Sequence, residues 1–264
     1  MITIATTRCE GQAPARPTGG RLLASIDVEW TKNYRIRNGN VPFCYSVTYL
    51  AIPNSGPVDI QDLTFQFTSR YVEDPTETGQ LIASATAEII DAFHRSNFVI
   101  GHQLSSDLAV LQAAGTVHSA PAPCLAQLQQ ARDLWKKRRE PRNEDCGKAH
   151  VIDTRYDADH LMTGASRRLV DVCDELDLEV TQPELRGTSM TAVHRRWIER
   201  HDNEARERIT VLNLRHSLSA ALVALTSTGL AARQPVSVNR MLVDQLPTCL
   251  TWLQHPQFAA TLTA

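Results

Sequence analysis

Asp27-Val28-Glu29 closes the apolar run Ser25-Ile26 and leads into Trp30. In an extended strand, residues two apart share a face, so this spacing predicts that both carboxylates project together while Val28 faces the other way. Two adjacent acids repel one another and resist burial unless a cation neutralises them. The pair therefore suits a hard divalent ion such as Mg²⁺ or Mn²⁺, the alternative being a solvated strand end. Further along, Phe98-Val99-Ile100-Gly101-His102-Gln103-Leu104-Ser105-Ser106-Asp107-Leu108 offers a third acid, placed just after an apolar strand in the first turns of a helix.

The elements needed to position these acids are legible from periodicity. Arg21 to Trp30, Pro42 to Ile52 and Leu63 to Val72 read as strands, with Phe43, Tyr45, Val47 and Tyr49 alternating against smaller residues. The turn signals Asn38-Gly39-Asn40 and Asn54-Ser55-Gly56-Pro57 separate them, which predicts an antiparallel meander of three strands. Leu81, Ile82, Ala85, Ile89 and Phe93 recur at helical spacing, and Phe98 to His102 follows as a short buried strand. Cys124 to Arg139 reads as a helix ending in Lys136-Lys137-Arg138-Arg139, and Pro141 to Gly147 as a loop. Ala149 to Thr154 is a strand carrying Asp153, while Arg167 to Leu176 and Glu204 to Leu225 are helical. A meander followed by alternating helices and short strands implies an α/β mixed sheet flanked by helices.

A chain of 264 residues suits one sizeable domain with extensions. With a formal charge of −2, contact with nucleic acid would have to come from local basic patches. Six scattered cysteines without a Cys-x-x-Cys pair argue against a zinc ribbon or a dense disulfide framework, and read as reduced thiols of a cytoplasmic protein. No run approaches the roughly 18 uninterrupted apolar residues that span a bilayer, so no membrane partner is expected. Residues 1–20, rich in Gly and Pro, read as a flexible lead-in, and residues 231–264 as a C-terminal extension that packs on the domain or mediates oligomer contacts.

The order of acids resembles the DEDD 3′–5′ exonucleases of the ribonuclease-H-like fold, over roughly residues 21–230. Asp27 and Glu29 match that family's Asp-x-Glu on the first strand, and Asp107 matches its second acid after a Gly-His-Asn-type turn. Val151-Ile152-Asp153-Thr154 resembles a strand whose acid is structural in those enzymes. Set against the histidine-type third motif, Leu212-Asn213-Leu214-Arg215-His216-Ser217 puts Leu212 at the general-base position and Ser217 at the fourth carboxylate position. The resemblance implies a two-metal-type hydrolysis of terminal phosphodiesters, with Mg²⁺ or Mn²⁺ on Asp27, Glu29, Asp107 and Ser217 and one of two ions weakly held. A shift of the helix by one residue would instead make His216 a metal ligand in place of the missing acid, favouring Mn²⁺. His194 is a further candidate base.

An exonuclease acting on a single-stranded 3′ end needs cations for phosphates and aromatic groups for bases. Trp30, Lys32, Tyr34, Arg35 and Arg37 follow the acidic strand, and a basic insertion at about 124–148 carries Lys136, Lys137 and Arg142. Arg195-Arg196 and Arg215 form a weaker third group, and His102, which the resemblance implies supports the turn before Asp107, joins the candidates for substrate contact. The competing reading is a ribonuclease-H-like module with a weakened or lost activity that binds nucleic acid or a protein partner.

Overall fold

The computed structural model describes residues 1–6, 11–31, 39–139 and 149–262. Lys32, Tyr34, Arg35, Arg37 and Arg142 lie outside the described residues. In chain order the strands and helices are β1 (Ile2–Ala5), β2 (Gly20–Thr31), β3 (Val41–Pro53), β4 (Phe65–Tyr71), α1 (Thr78–Arg95), β5 (Phe98–Gly101), α2 (Leu104–Val117), α3 (Ala122–Lys136) and β6 (His150–Asp153). There follow α4 (Leu169–Glu175), β7 (Leu178–Glu179), α5 (Met190–Arg200), α6 (Asn203–Ser227), β8 (Val236–Ser237), α7 (Val238–Gln245) and α8 (Pro256–Ala259).

Strands β2, β3 and β4 form the expected antiparallel meander, and β5 and β6 join it in parallel on the other side of β2. The six-stranded order is β1-β4-β3-β2-β5-β6, which makes β2 an interior strand with a long antiparallel neighbour and a short parallel one. The β5 to α2 to β6 crossover follows from chemistry, since parallel neighbours need a long connection and a helix supplies it.

Alternation along β2 divides its side chains between two layers. Leu22, Ala24, Ile26 and Val28 enter one apolar cluster with Leu81, Ile82, Ala85 and Ile89 of α1 and Leu104, Leu108 and Leu111 of α2. Leu23 faces the opposite cluster with Val211, Leu214, Leu218 and Leu222 of α6. Asp27 and Glu29 keep the odd phase of Leu23, so the same alternation that builds the core aims both acids at α6. Each fully buried Leu or Val contributes about 1.5–3 kcal/mol, so slipping β2 by one residue would forfeit several such terms and bury charges in their place.

Helix α6 runs for 25 residues and is buried on almost every side. Among the described residues it is the one helix long and apolar enough to cross a membrane, yet it lies inside the protein. Asp202 starts it by accepting a hydrogen bond from the Ala205 amide at 3.1 Å.

Two boundaries differ from the sequence reading, and the C-terminal extension takes the first of its two expected roles. The described part of residues 1–20 is not a free lead-in: β1 pairs with β4 from Ile2↔Tyr71 to Ala5↔Thr68, and Arg16 donates hydrogen bonds to the carbonyl of Arg95 at the end of α1 and to that of Ser96 just beyond it. The stretch from about 124 begins as a core helix rather than a surface insertion, because Cys124, Leu128, Ala131 and Trp135 of α3 are buried. The C-terminal extension belongs to the same core as α6, with Trp252 and Phe258 buried against it and Val236 of β8 paired with Leu178 of β7.

Candidate metal centre

Asp27, Val28, Glu29 and Trp30 form one wall of a cavity of about 670 Å³, with His102 and Asp107 on a second and Leu185, Ser189, Met190 and Thr191 on a third. The β2–β3 register shifts between Glu29 and Trp30, where Phe43 of β3 is left without a partner in β2. That volume lies within the range of small-ligand sites.

Asp107 reaches the site through the β5–α2 turn. Gln103 adopts a left-handed conformation with φ 63°, and its amide donates to Asp153 Oδ1 at 3.0 Å. Gly101 is required at this turn, because a Cβ there would stand 2.6 Å from Leu104 Cβ. With Leu104, Leu108 and Leu111 buried beneath α2, Asp107 points back at β2 and accepts a hydrogen bond from the Val28 amide. Its burial and the charges of Asp27 and Glu29 push the Asp107 carboxyl well above the ordinary range. Burial and the charge of Asp27 likewise raise Glu29, against a lowering contribution from His216.

Helix α6 supplies the opposing groups at i and i+3. Asn213 Nδ2 donates to Asp27 Oδ2 at 2.6 Å, and His216 Nδ1 lies 3.0 Å from Glu29 Oε1 and 3.5 Å from Asp27 Oδ2. Burial works against a charged His216, but its hydrogen bonds to Asp27 and Glu29 and their charges outweigh it and raise the ring to about 10. One ligand atom from each of Asp27, Glu29 and His216 falls within 4.8 Å of the others, a spacing that could hold a cation. Two carboxylates and an imidazole, beside a third carboxylate whose burial disfavours its charge, form a donor set that fits a divalent metal.

The helix register settles where the neighbouring residues point. Ser217, expected as a metal ligand, is fully buried and faces β3, with its Oγ 2.7 Å from Thr48 Oγ1 and 3.0 Å from Ser46 Oγ. One residue is 100° on a helix, so a position that aims His216 at β2 must turn Ser217 away. Leu212 is fully buried and offers no base. His194 does not swing towards the acids: it sits in α5, stacked on Phe43 at 3.9 Å with Nδ1 3.0 Å from the Tyr71 hydroxyl.

His102 borders the cavity, but both ring nitrogens are engaged, Nδ1 with Thr154 Oγ1 at 3.0 Å and Nε2 with the Arg167 carbonyl at 2.9 Å. It therefore braces the wall rather than offering a free nitrogen to a substrate. Trp30 is half-buried at the edge of the cavity. Lys136 and Lys137 are exposed and do not line the cavity, and Lys136 lies 3.7 Å from Asp133. Arg195 and Arg196 pair with Glu199 and Asp202, and Arg215 is fully buried against Glu184.

Sequence reasoning did not anticipate the third wall or the partner of the other His216 nitrogen. Leu185 and Met190 carry no signal beyond their apolar character, and Gln182, whose amide lies 2.9 Å from His216 Nε2, sits in a stretch without a motif. No protein-family model matches this sequence, and comparison with curated proteins gives no match.

Proposed function

We propose that the chain is a metal-dependent 3′–5′ exonuclease of ribonuclease-H-like architecture, hydrolysing terminal phosphodiesters of DNA or RNA with Mg²⁺ or Mn²⁺. The observation that carries this reading is the convergence of Asp27, Glu29 and Asp107 on one cavity whose far side offers Leu185 and Met190 beside two hydroxyls. The strand order β4-β3-β2-β5-β6, with the acid pair on the interior strand β2 and the third acid after β5, supports it at the level of the fold.

Asp27, Glu29 and His216 are the residues that would hold a cation, with Asp107 on the adjoining wall. When bound, divalent ions supply activation of water and neutralisation of the leaving oxygen. Trp30, Leu185 and Met190 would pack against a terminal base, since stacking on apolar and aromatic groups tolerates any sequence. Asn213 holds the Asp27 carboxylate in one orientation from the helix side.

One observation favours a second reading, a module of the same architecture that binds nucleic acid without cutting it. Leu212 is buried where the resemblance requires a general base, and losing such a base costs a factor on the order of 10²–10⁴. The two readings part in one assay. Incubation with 3′-labelled and 5′-labelled single- and double-stranded DNA and RNA, in Mg²⁺ or Mn²⁺, should shorten strands from the 3′ end and fail in Asp27→Ala and Asp107→Ala. Binding to the same strands without metal-dependent shortening would replace the exonuclease with the binding module.

A further inference from the structure

The His216 ring touches the carboxylates through one nitrogen and leaves the other to the segment before α5. Gln182 meets that nitrogen, its side-chain amide 2.9 Å from Nε2, while Nδ1 faces Glu29 at 3.0 Å and Asp27 at 3.5 Å. The ring is thus gripped along its long axis, with carboxylates at one end and a primary amide at the other.

Gln182 is itself held from both sides by groups tied to α6 one residue from His216. The carbonyl of Thr181, just before it, accepts from Asn239 Nδ2 at 3.0 Å, and Asn239 Oδ1 accepts from Arg215 Nε at 2.7 Å. Just after it, the Glu184 carboxylate takes both terminal nitrogens of Arg215 at 2.6 and 2.7 Å and the Trp252 indole N–H at 3.0 Å. Arg208 donates to the Glu184 carbonyl. Every charged group of this clamp is buried, so its geometry is set by paired hydrogen bonds in a low-dielectric interior rather than by solvent.

We propose that Gln182 is a positioning residue for the candidate metal centre: its amide holds the His216 ring so that Nδ1 faces the Asp27–Glu29 pair, where a cation would take the place of the Nδ1 proton. This rests on the metal-dependent reading given above. A histidine that ligates through one nitrogen needs an acceptor for the N–H on the other, and the partner fixes both tautomer and ring plane. In the structure the side-chain nitrogen of Gln182 faces Nε2. Rotated half a turn about its last bond, the same amide presents its carbonyl as that acceptor, so it holds the ring whether or not a cation is present.

The test is Mn²⁺ binding to the full chain, read by calorimetry and by the nitrogen hyperfine coupling that pulsed electron paramagnetic resonance detects when an imidazole ligates Mn²⁺. Wild type should bind with nitrogen coupling, and His216→Leu should lose the coupling. Gln182→Leu should weaken binding by about 10–100-fold, the usual effect of removing the partner of a ligating histidine, and should reduce the coupling. Gln182→Glu keeps an acceptor of the same length and should recover affinity to within a few-fold of wild type. Wild-type affinity and coupling in Gln182→Leu, or a Gln182→Glu variant as weak as Gln182→Leu, would overturn the positioning role alone. A wild-type protein that binds Mn²⁺ no better than Asp27→Ala would overturn the metal centre and this role together. Gln182 is half-buried in a loop, and matched thermal unfolding of the variants in chelator separates lost positioning from lost folding.

Discussion

Asp107 condenses the site's chemistry into one side chain. Its carboxylate is buried and faces two further acids, so the metal-free protein carries unfavourable charge there. Asp107→Asn should therefore raise the melting temperature in chelator, by roughly 2–4 °C for about 1 kcal/mol, while shrinking the stabilisation that added Mn²⁺ gives wild type. Differential scanning fluorimetry with and without metal reads both halves. Ser217→Asp makes the complementary point. A fourth acid added there would face Ser46 and Thr48 instead of the cavity, so it should cost on the order of 3 kcal/mol in denaturant unfolding and leave Mn²⁺ affinity unimproved. Residue types at Asp27, Glu29 and Asp107 announced themselves in the sequence, because period-two spacing and a strand-to-helix turn are local signals. The choice between His216 and Ser217 was not local, since it depends on the rotation of α6 about its own axis. Gln182 left no trace at all, because its partner is 34 positions away and the two meet only in the folded chain.

At the scale of elements, α5 decides the shape of the cavity's third wall. Its first turn carries Met190 and Thr191, and its buried face docks on the meander through Val193, His194 and Trp197, whose indole donates to the Val72 carbonyl at 2.8 Å. Burial lowers His194 from 6.5 to about 4, so the folded state excludes the charged ring. The stability this confers is complete above pH 6.5 and is lost as pH falls through 4, a change on the order of 3 kcal/mol for a shift of that size. Burial lowers His102 to about 4 as well, so both rings contribute to one window. Urea unfolding followed from pH 7 to pH 4 should show this loss, and His194→Phe, which keeps the stack on Phe43, should make the slope shallower without abolishing it. Helices α1 and α6 and strands β2 to β4 were visible in the sequence because their periodic patterns coincide with the packing that stabilises them, and β5 and the start of α2 were visible from a short apolar run and the turn after it. Strand β1 was obscured: Ile2-Thr3-Ile4 alternates over too few residues to signal a strand before its neighbour β4 is known. The basic end of α3 drew the reading away from a packing face, because Leu128, Ala131 and Trp135 precede the Lys136 to Arg139 run that marked the stretch as a basic insertion.

Taken as a whole, the molecule is braced from its C-terminal segment. Trp252 and Phe258 complete the apolar cluster around α6, and Glu184, Arg215 and Asn239 join that cluster to the rim of the cavity. Arg215→Leu would leave the buried Glu184 carboxylate without its bidentate partner, with only the Trp252 indole hydrogen-bonded to it, and should cost about 3–5 kcal/mol. Pairing it with Glu184→Gln removes the stranded charge and should recover part of that loss, which equilibrium unfolding of the two variants resolves. Of the two roles the sequence left open for this segment, packing on the domain is the one the structure shows, and its polar anchors are met by residues far earlier in the chain, partners that composition does not disclose.

The envelopment of α6 on almost every side also bears on the tempo at which the site can open. Its amides are hydrogen-bonded along 25 residues and shielded by both apolar clusters, so hydrogen exchange there should proceed only through global unfolding and be the slowest in the chain. Asn213 and His216 ride on that slowest-exchanging backbone, whereas Met190 sits at the first turn of α5, past the point where Glu184 is clamped to α6. Adjustment to an incoming chain would thus fall to one rim of the cavity while the donor groups on α6 hold still.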